Sequence, residues 1–192
     1  MERIIKAEEE FIPAAGRNSK NAGEINTAAL NSIVLYLTFL LGNDIFGIQV
    51  GEIREVIDYK KVFKVPGVPE CIRGVINLRG EVVPVIDLHS RFYSTTSSIN
   101  NSTSIVVVEL NDENQKIPIG IIIDSVQAVT ELFEDSIETV PEIGNRIRPD
   151  FIHGIGKVED QFVLLLNIPS ILDLAELSDI DGRIRKTGGK DV

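Results

Sequence analysis

Short runs of Val, Ile, Leu and Phe, broken by turn-forming clusters, fill the chain from Ile33 to Leu166. The pattern predicts β-strands over Ile33–Leu41, Ile45–Val50, Arg54–Tyr59, Gly74–Leu78, Glu81–Ile86, Ser104–Leu110, Ile117–Ile123, Ala128–Leu132, Gly154–Val158 and Gln161–Leu166. Turn signals such as "GND" and "NDENQ" lie between them, the arrangement of small barrels or sandwiches. Unbroken apolar runs such as "GIIID" and "FVLLLNI" predict strands buried on both faces. Helix is minor. Asp87 and Asn167 are each placed to cap a short helix, with Pro169 allowed in the first turn of the second.

Polar stretches divide the chain. Residues 1–32 are rich in Ala, Asn, Glu and Gly; the first dozen could form a short helix, and most of this arm is expected to be disordered. The tract "STTSSINNSTS", Ser94 to Ser104, reads as a mobile loop near which the body splits into two halves. The tail "GRIRKTGGKDV" is again polar. The expected organisation is an arm at 1–32, a body at 33–177 and a tail at 178–192.

The halves of the body resemble each other. A shift of 80 residues sets "CIRGVINLRGEVVPVIDL" against "FIHGIGKVEDQFVLLLNI" without a gap, and Asp87 meets Asn167. Upstream, a shift of 73 sets "FGIQVGEIREV" against "IGIIIDSVQAV". The recurrence predicts two similar barrels of about five strands each around a common core, too few units for a solenoid.

Composition narrows the function. The 192 residues carry a net charge of −10, which argues against nucleic acid as a partner. The start "MERIIKAEEEF" is charged rather than apolar, unlike a secretory signal. The longest apolar run, "IVLYLTFLL", is well short of the roughly 18 residues that span a bilayer, so no membrane insertion and a cytoplasmic location are expected. The single cysteine, Cys71, allows no internal disulfide and reads as a small buried thiol.

Catalytic patterns are missing. The two histidines, His89 and His153, stand 64 positions apart with no Cys/His cluster, so no metal site is expected. "GIGK" and "TGGK" fall short of phosphate-binding loops, and no GxSxG occurs. No spacing forces two carboxylates together. The sequence gives no reason to expect an enzyme, a catalytic residue or a cofactor.

The stretch "GVINLRGEVVPVIDL", Gly74 to Leu88, is the most informative. It predicts a hairpin whose turn needs Gly80 at positive φ. Pro84 lacks an N–H, so its strand is expected at an edge or at a bulge. Arg79 stands at the hairpin tip, where the second half carries Glu159 and Asp160. The turn tolerates a reversal of charge, so folding does not require the arginine.

This block, with "IREVIDY" and "VPGVPECIRG" before it and "IGIIIDSVQAV" after it, resembles the CheW family of chemotaxis coupling proteins from about Ile33 to Leu177. The resemblance implies a mainly β fold: two SH3-like five-stranded β-barrels packed in one CheW-like domain, with short helices. It implies a non-catalytic adaptor that couples the cytoplasmic tips of chemoreceptors (methyl-accepting chemotaxis proteins) to the regulatory domain of the histidine kinase CheA, in arrays beneath the inner membrane. A CheA-type kinase or a CheV-type protein would need further domains for which this chain is expected to have no room. By position, the resemblance carries a receptor groove between the barrels onto Ile53, Glu55, Val56, Val126 and Val129. Arg79 matches an arginine implicated in receptor coupling, and Ile143 a hydrophobic contact between array subunits. Gly74 and Gly80 are taken as structural turn residues. Two other readings stay open: a scaffold for a receptor cluster outside chemotaxis, and a small-ligand β-barrel with convergent polar groups in a pocket.

Overall fold

The computed structural model describes residues 32–112, 115–140 and 147–171. Among the described residues ten strands carry the fold: β1 (Ile33–Leu41), β2 (Asp44–Gln49), β3 (Ile53–Asp58), β4 (Ile72–Leu78), β5 (Glu81–Asp87), β6 (Ser104–Asp112), β7 (Gln115–Ile123), β8 (Ser125–Phe133), β9 (Ile152–Val158) and β10 (Gln161–Leu166). Helices α1 (Leu88–Tyr93) and α2 (Ile168–Ile171) follow β5 and β10. Every predicted strand is present. The largest difference is at β8, which begins at Ser125 rather than Ala128 because a register shift interrupts its alternation. The expected arm and tail, and the body's expected end at Leu177, lie outside the described residues apart from Ser32.

Two five-stranded sheets form, ordered β3-β6-β7-β5-β4 and β8-β1-β2-β10-β9. The orders coincide when β1–β5 is exchanged for β6–β10. Each repeat therefore lends its first hairpin, β1–β2 or β6–β7, to the other's barrel. The lent hairpins join through short parallel ladders, β5 with β7 and β10 with β2. The tract at 94–104 thus separates the two sequence repeats but not the two barrels. The first barrel takes β3 to β7, and the second takes strands from both ends of the chain. The tract is also tied down. Buried Asp87 accepts from the N–H and the hydroxyl of Ser97, at 3.0 and 2.6 Å, as well as from His89 and Ser90 N–H at the start of α1.

Among the described residues, neither barrel closes by a full ladder. The chain leaving each edge strand returns to the opposite edge through a single bridge, Phe63 with Val75 of β4 and Glu138 with Ile155 of β9. Phe63 and Val75 exchange two N–H···O bonds of 2.8 Å. Gly74 permits that approach: a Cβ there would stand 2.1 Å from the Phe63 carbonyl oxygen, at a φ of +140°. Gly74 is accordingly a strand residue at the barrel closure, not a turn residue.

Alternate side chains of one strand feed different cores. In β6, Ile105 and Val107 join Val83 and Val85 inside the first barrel. Val106, Val108 and Leu110 enter a larger core shared with Leu37, Phe39 and Phe46 of the other sheet. Tyr36, Leu132, Val163 and Leu165 fill the second barrel. Two-sided burial explains the unbroken apolar runs of the central strands.

Pro84 departs from expectation. Its strand, β5, is internal, between β7 and β4. The ladder to β7 begins only at Val85, and the hairpin's bulge lies on β4 between Ile72 and Gly74. The missing N–H falls where β5 has no second neighbour to satisfy.

Candidate partner-binding surface

The edge strands of the two sheets, β3 and β8, carry the same irregularity. In β3 the register to β6 passes from Ile53↔Val108 to Glu55↔Val107, leaving Arg54 as an extra residue. In β8 the register to β1 passes from Val126↔Phe39 to Ala128↔Thr38, leaving Gln127 extra. Side chains three apart on a regular strand point to opposite faces; one inserted residue returns them to the same face. Ile53 and Val56 therefore face the side of Val108 and Val106, and Val126 and Val129 that of Phe39 and Leu37. All four partners belong to the shared core. The four apolar residues picked out by resemblance thus border one core from its two edges. They are not ordinary core themselves: Val56, Val126 and Val129 are 41%, 39% and 58% exposed, and Ile53 is half-buried against the cluster.

Glu55 points to the opposite face, the side of Val107 and the first barrel's interior. There its carboxylate accepts from the Arg79 guanidinium at 3.1 Å. Arg79 and Gly80 have φ of 53° and 89°, the pair of left-handed residues that a two-residue type I′ hairpin turn requires. Gly80 alone was expected to be left-handed; Arg79 shares the strain, and so does its counterpart Glu159 at 53°. Asn77 Oδ1 accepts from Gly80 N–H at 3.0 Å and fixes the turn. The Arg79 side chain remains 75% exposed, so most of its guanidinium faces solvent.

Arg54, the extra residue of β3, donates to Glu81 at 2.8 Å. That hydrogen bond, with the nearby carboxylate charge, pushes the Arg54 pKa up. The hairpin tip is thereby tied to β3 by two interleaved ion pairs. A neighbouring bond from Lys116 holds the Glu109 carboxyl below the ordinary carboxylate range.

One cluster that positions this surface had no sequence signal. Asp124, between β7 and β8, accepts from Gly42 N–H at 2.7 Å and from His89 Nε2 at 3.0 Å. Its own N–H donates to the Leu40 carbonyl at 3.1 Å. The β1–β2 turn, α1 and the start of β8 are thus joined just before Val126. His89 and Asp124 are 35 positions apart, and neither stands in a motif. Ile143 lies outside the described residues.

Among the described residues, no group of three His, Cys, Asp or Glu is placed to hold a metal ion. A cleft of about 180 Å³ is lined by Gly51, Glu52, Glu109, Leu110, Asn111, Lys116 and Pro169. It is smaller than the roughly 300–1,000 Å³ of small-molecule sites, and Lys116 within it is already engaged by Glu109. Among the described residues, no helix is long and apolar enough to cross a membrane.

A family profile described as "CheW-like domain" matches residues 35–176. The chain is 31% identical over 147 residues to the chemotaxis protein CheW of Bacillus subtilis, covering 77% of this chain and 92% of that one. It is 30% identical over 146 residues to the chemotaxis protein CheW of Klebsiella aerogenes, covering 76% and 86% respectively. The crystal structure of the scaffolding protein TtCheW from Thermoanaerobacter tengcongensis superposes with a TM-score of 0.66 at 29% identity, over 80% of this chain and 94% of that one. The fold, its two open SH3-like barrels and the profile match agree: this chain belongs to the CheW-like domain family.

Proposed function

We propose that this chain is a non-catalytic, cytoplasmic adaptor that links the helical tip of a chemoreceptor to the regulatory domain of the histidine kinase CheA. The observation that carries this reading is the matched pair of bulges at Arg54 and Gln127, which turn Ile53, Val56, Val126 and Val129 to the two edges of one core. An apolar face of this kind suits an amphipathic helix, which gains affinity from a few buried side chains. Arg79, at the hairpin tip and paired with Glu55 on the other side of β3, adds an exposed guanidinium able to form a two-pronged bond with a receptor carboxylate. Relatives named as chemotaxis proteins and a scaffolding protein support the same role. Residues 33–177 form the adaptor body in this reading, and Ile143 contributes a contact between array subunits.

Co-purification with a chemoreceptor cytoplasmic fragment and with the CheA regulatory domain tests the proposal. The parent protein should retain both. Val126→Asp and Val129→Asp put an unpaired charge into the receptor contact, and each should abolish receptor binding with a native circular dichroism spectrum. A parent protein that captures neither partner, or aspartate variants that bind the receptor normally, would overturn it.

A further inference from the structure

The face that carries Val126 and Val129 does not end there. Beyond the Gln127 bulge the β1/β8 ladder is regular, pairing Leu37 with Val129, Leu35 with Glu131 and Ile33 with Phe133. Directly paired residues share a face, so Ile33, Leu35 and Phe133 continue the surface that begins at Val126. Burial falls away along it: Leu37 is in the shared core, whereas Leu35 is 43% and Phe133 49% exposed. Five of the ten exposed large apolar side chains among the described residues lie on this one strip: Ile33, Leu35, Val126, Val129 and Phe133. Scattered exposed apolar residues need no explanation, but a contiguous row marks a contact. Its far end is held in place, since the Ser32 hydroxyl donates to the Glu134 carboxylate and Glu134 N–H donates to the Ser32 carbonyl.

We propose that the partner helix docking at Val126 and Val129 continues along β8 over Leu35, Ile33 and Phe133, meeting this chain through a long apolar stripe. This rests on the reading of the chain as a receptor adaptor and extends its binding site. From Val126 to Phe133 the strip measures roughly 23 Å, the length of about four helical turns. One charge interrupts it. Glu131, exposed and opposite Leu35, makes no ion pair among the described residues. The helix that fits is amphipathic, with apolar residues at three- and four-residue spacing and a Lys or Arg near the middle of the stripe. The partner meets the face of β8 rather than its free edge, because the Gln127 bulge breaks the regular row of edge N–H and C=O groups.

The test measures affinity of the parent and of Leu35→Ser/Phe133→Ser for a chemoreceptor cytoplasmic fragment, with melting curves and sedimentation of each protein. The double variant should bind roughly tenfold more weakly at an unchanged melting temperature. Glu131→Lys, a single exposed change that spares the apolar residues, should weaken binding comparably and covers the case in which the double variant fails to fold. If both bind like the parent while Val126→Asp abolishes binding, the extension is wrong and the adaptor site stands. If Val126→Asp is also harmless, the adaptor site itself is wrong and the extension falls with it. A parent dimer that the double variant converts to monomers, at unchanged receptor affinity, would assign the strip to a second copy and overturn the inference.

Discussion

Arg79 donates to Glu55 across 3.1 Å, from a hairpin turn to the edge strand beside it, with most of its guanidinium left in solvent. An exposed ion pair of this kind contributes about 0–1 kcal/mol. The turn itself bears a cost, because Arg79 is left-handed at a φ of 53°. For a side chain with a Cβ that conformation costs roughly 1–2 kcal/mol. Stability therefore gives no reason for arginine at this position, whereas the proposed receptor contact does.

Arg79→Ala should stay within about 1 kcal/mol of the parent in urea unfolding and impair receptor coupling. Arg79→Lys should recover part of the coupling, since an ammonium cannot reproduce a planar two-pronged bond. Arg79→Gly separates the two roles most sharply. It relieves the left-handed strain and should raise the unfolding midpoint while coupling still falls. Full kinase control by the glycine variant would show that Arg79 only shapes the turn.

The strands were legible because each apolar run had the length and β-branched content of one strand. The pairing was not. The repeat at shifts of 73 and 80 residues shows which segments are alike, but like segments fit either barrel, and the hairpin exchange leaves no trace in composition. The candidate site was proposed from the sequence only through resemblance. Ile53 and Val56 sit three apart, a spacing that places strand residues on opposite faces unless a bulge intervenes, and neither Arg54 nor Gln127 announces one. The exposure of Phe133 and Leu35 was equally hidden, since an apolar residue in a strand reads as core until its neighbours are known.

Gly74 sets the closure of the first barrel. An added methyl group would stand 2.1 Å from the Phe63 carbonyl oxygen and 2.8 Å from its carbon, both rigid backbone atoms. Gly74→Ala should cost on the order of 3 kcal/mol, from the clash and the positive φ together. Gly154 occupies the matching place in the second barrel, yet its closest neighbour is a side-chain methyl, Ile137 Cγ2, at 2.4 Å, and the nearest rigid backbone atom, the Glu138 carbonyl oxygen, is 3.0 Å away. Gly154→Ala should cost less. Thermal melts of the two variants give the order; equal losses would mean that the two closures are equally rigid.

Asp124 joins the β1–β2 turn, α1 and β8 through Gly42 and His89. Asp124→Ala leaves the Gly42 N–H and the His89 ring without that acceptor and should destabilise by about 1–3 kcal/mol. Asp124→Asn keeps an acceptor oxygen and should cost less. The barrels also share a large apolar core, so urea unfolding of Asp124→Ala should remain a single transition at a lower midpoint. Two separate transitions would show that this polar cluster, rather than the shared core, couples the barrels.

Glu52 lies in the turn before β3, and burial raises its carboxyl pKa above the ordinary value of 4.5. A carboxyl raised by desolvation favours the neutral form in the folded state. Its contribution to stability is complete below the unfolded value and is lost as pH rises through the folded one. At neutral pH the ionised carboxylate therefore works against folding. Glu52→Gln, neutral at every pH, should melt higher than the parent near pH 7, and the gap should close as the pH approaches about 4. Tyr36 supplies an independent readout. Its hydroxyl pKa is raised by burial first and then by the charges of Glu52 and Glu134. Removing the Glu52 charge should lower the Tyr36 titration, followed by tyrosinate absorbance, while the burial contribution remains. A melting advantage that stayed constant down to pH 4 would show that the gain comes from packing of the amide rather than from the lost charge.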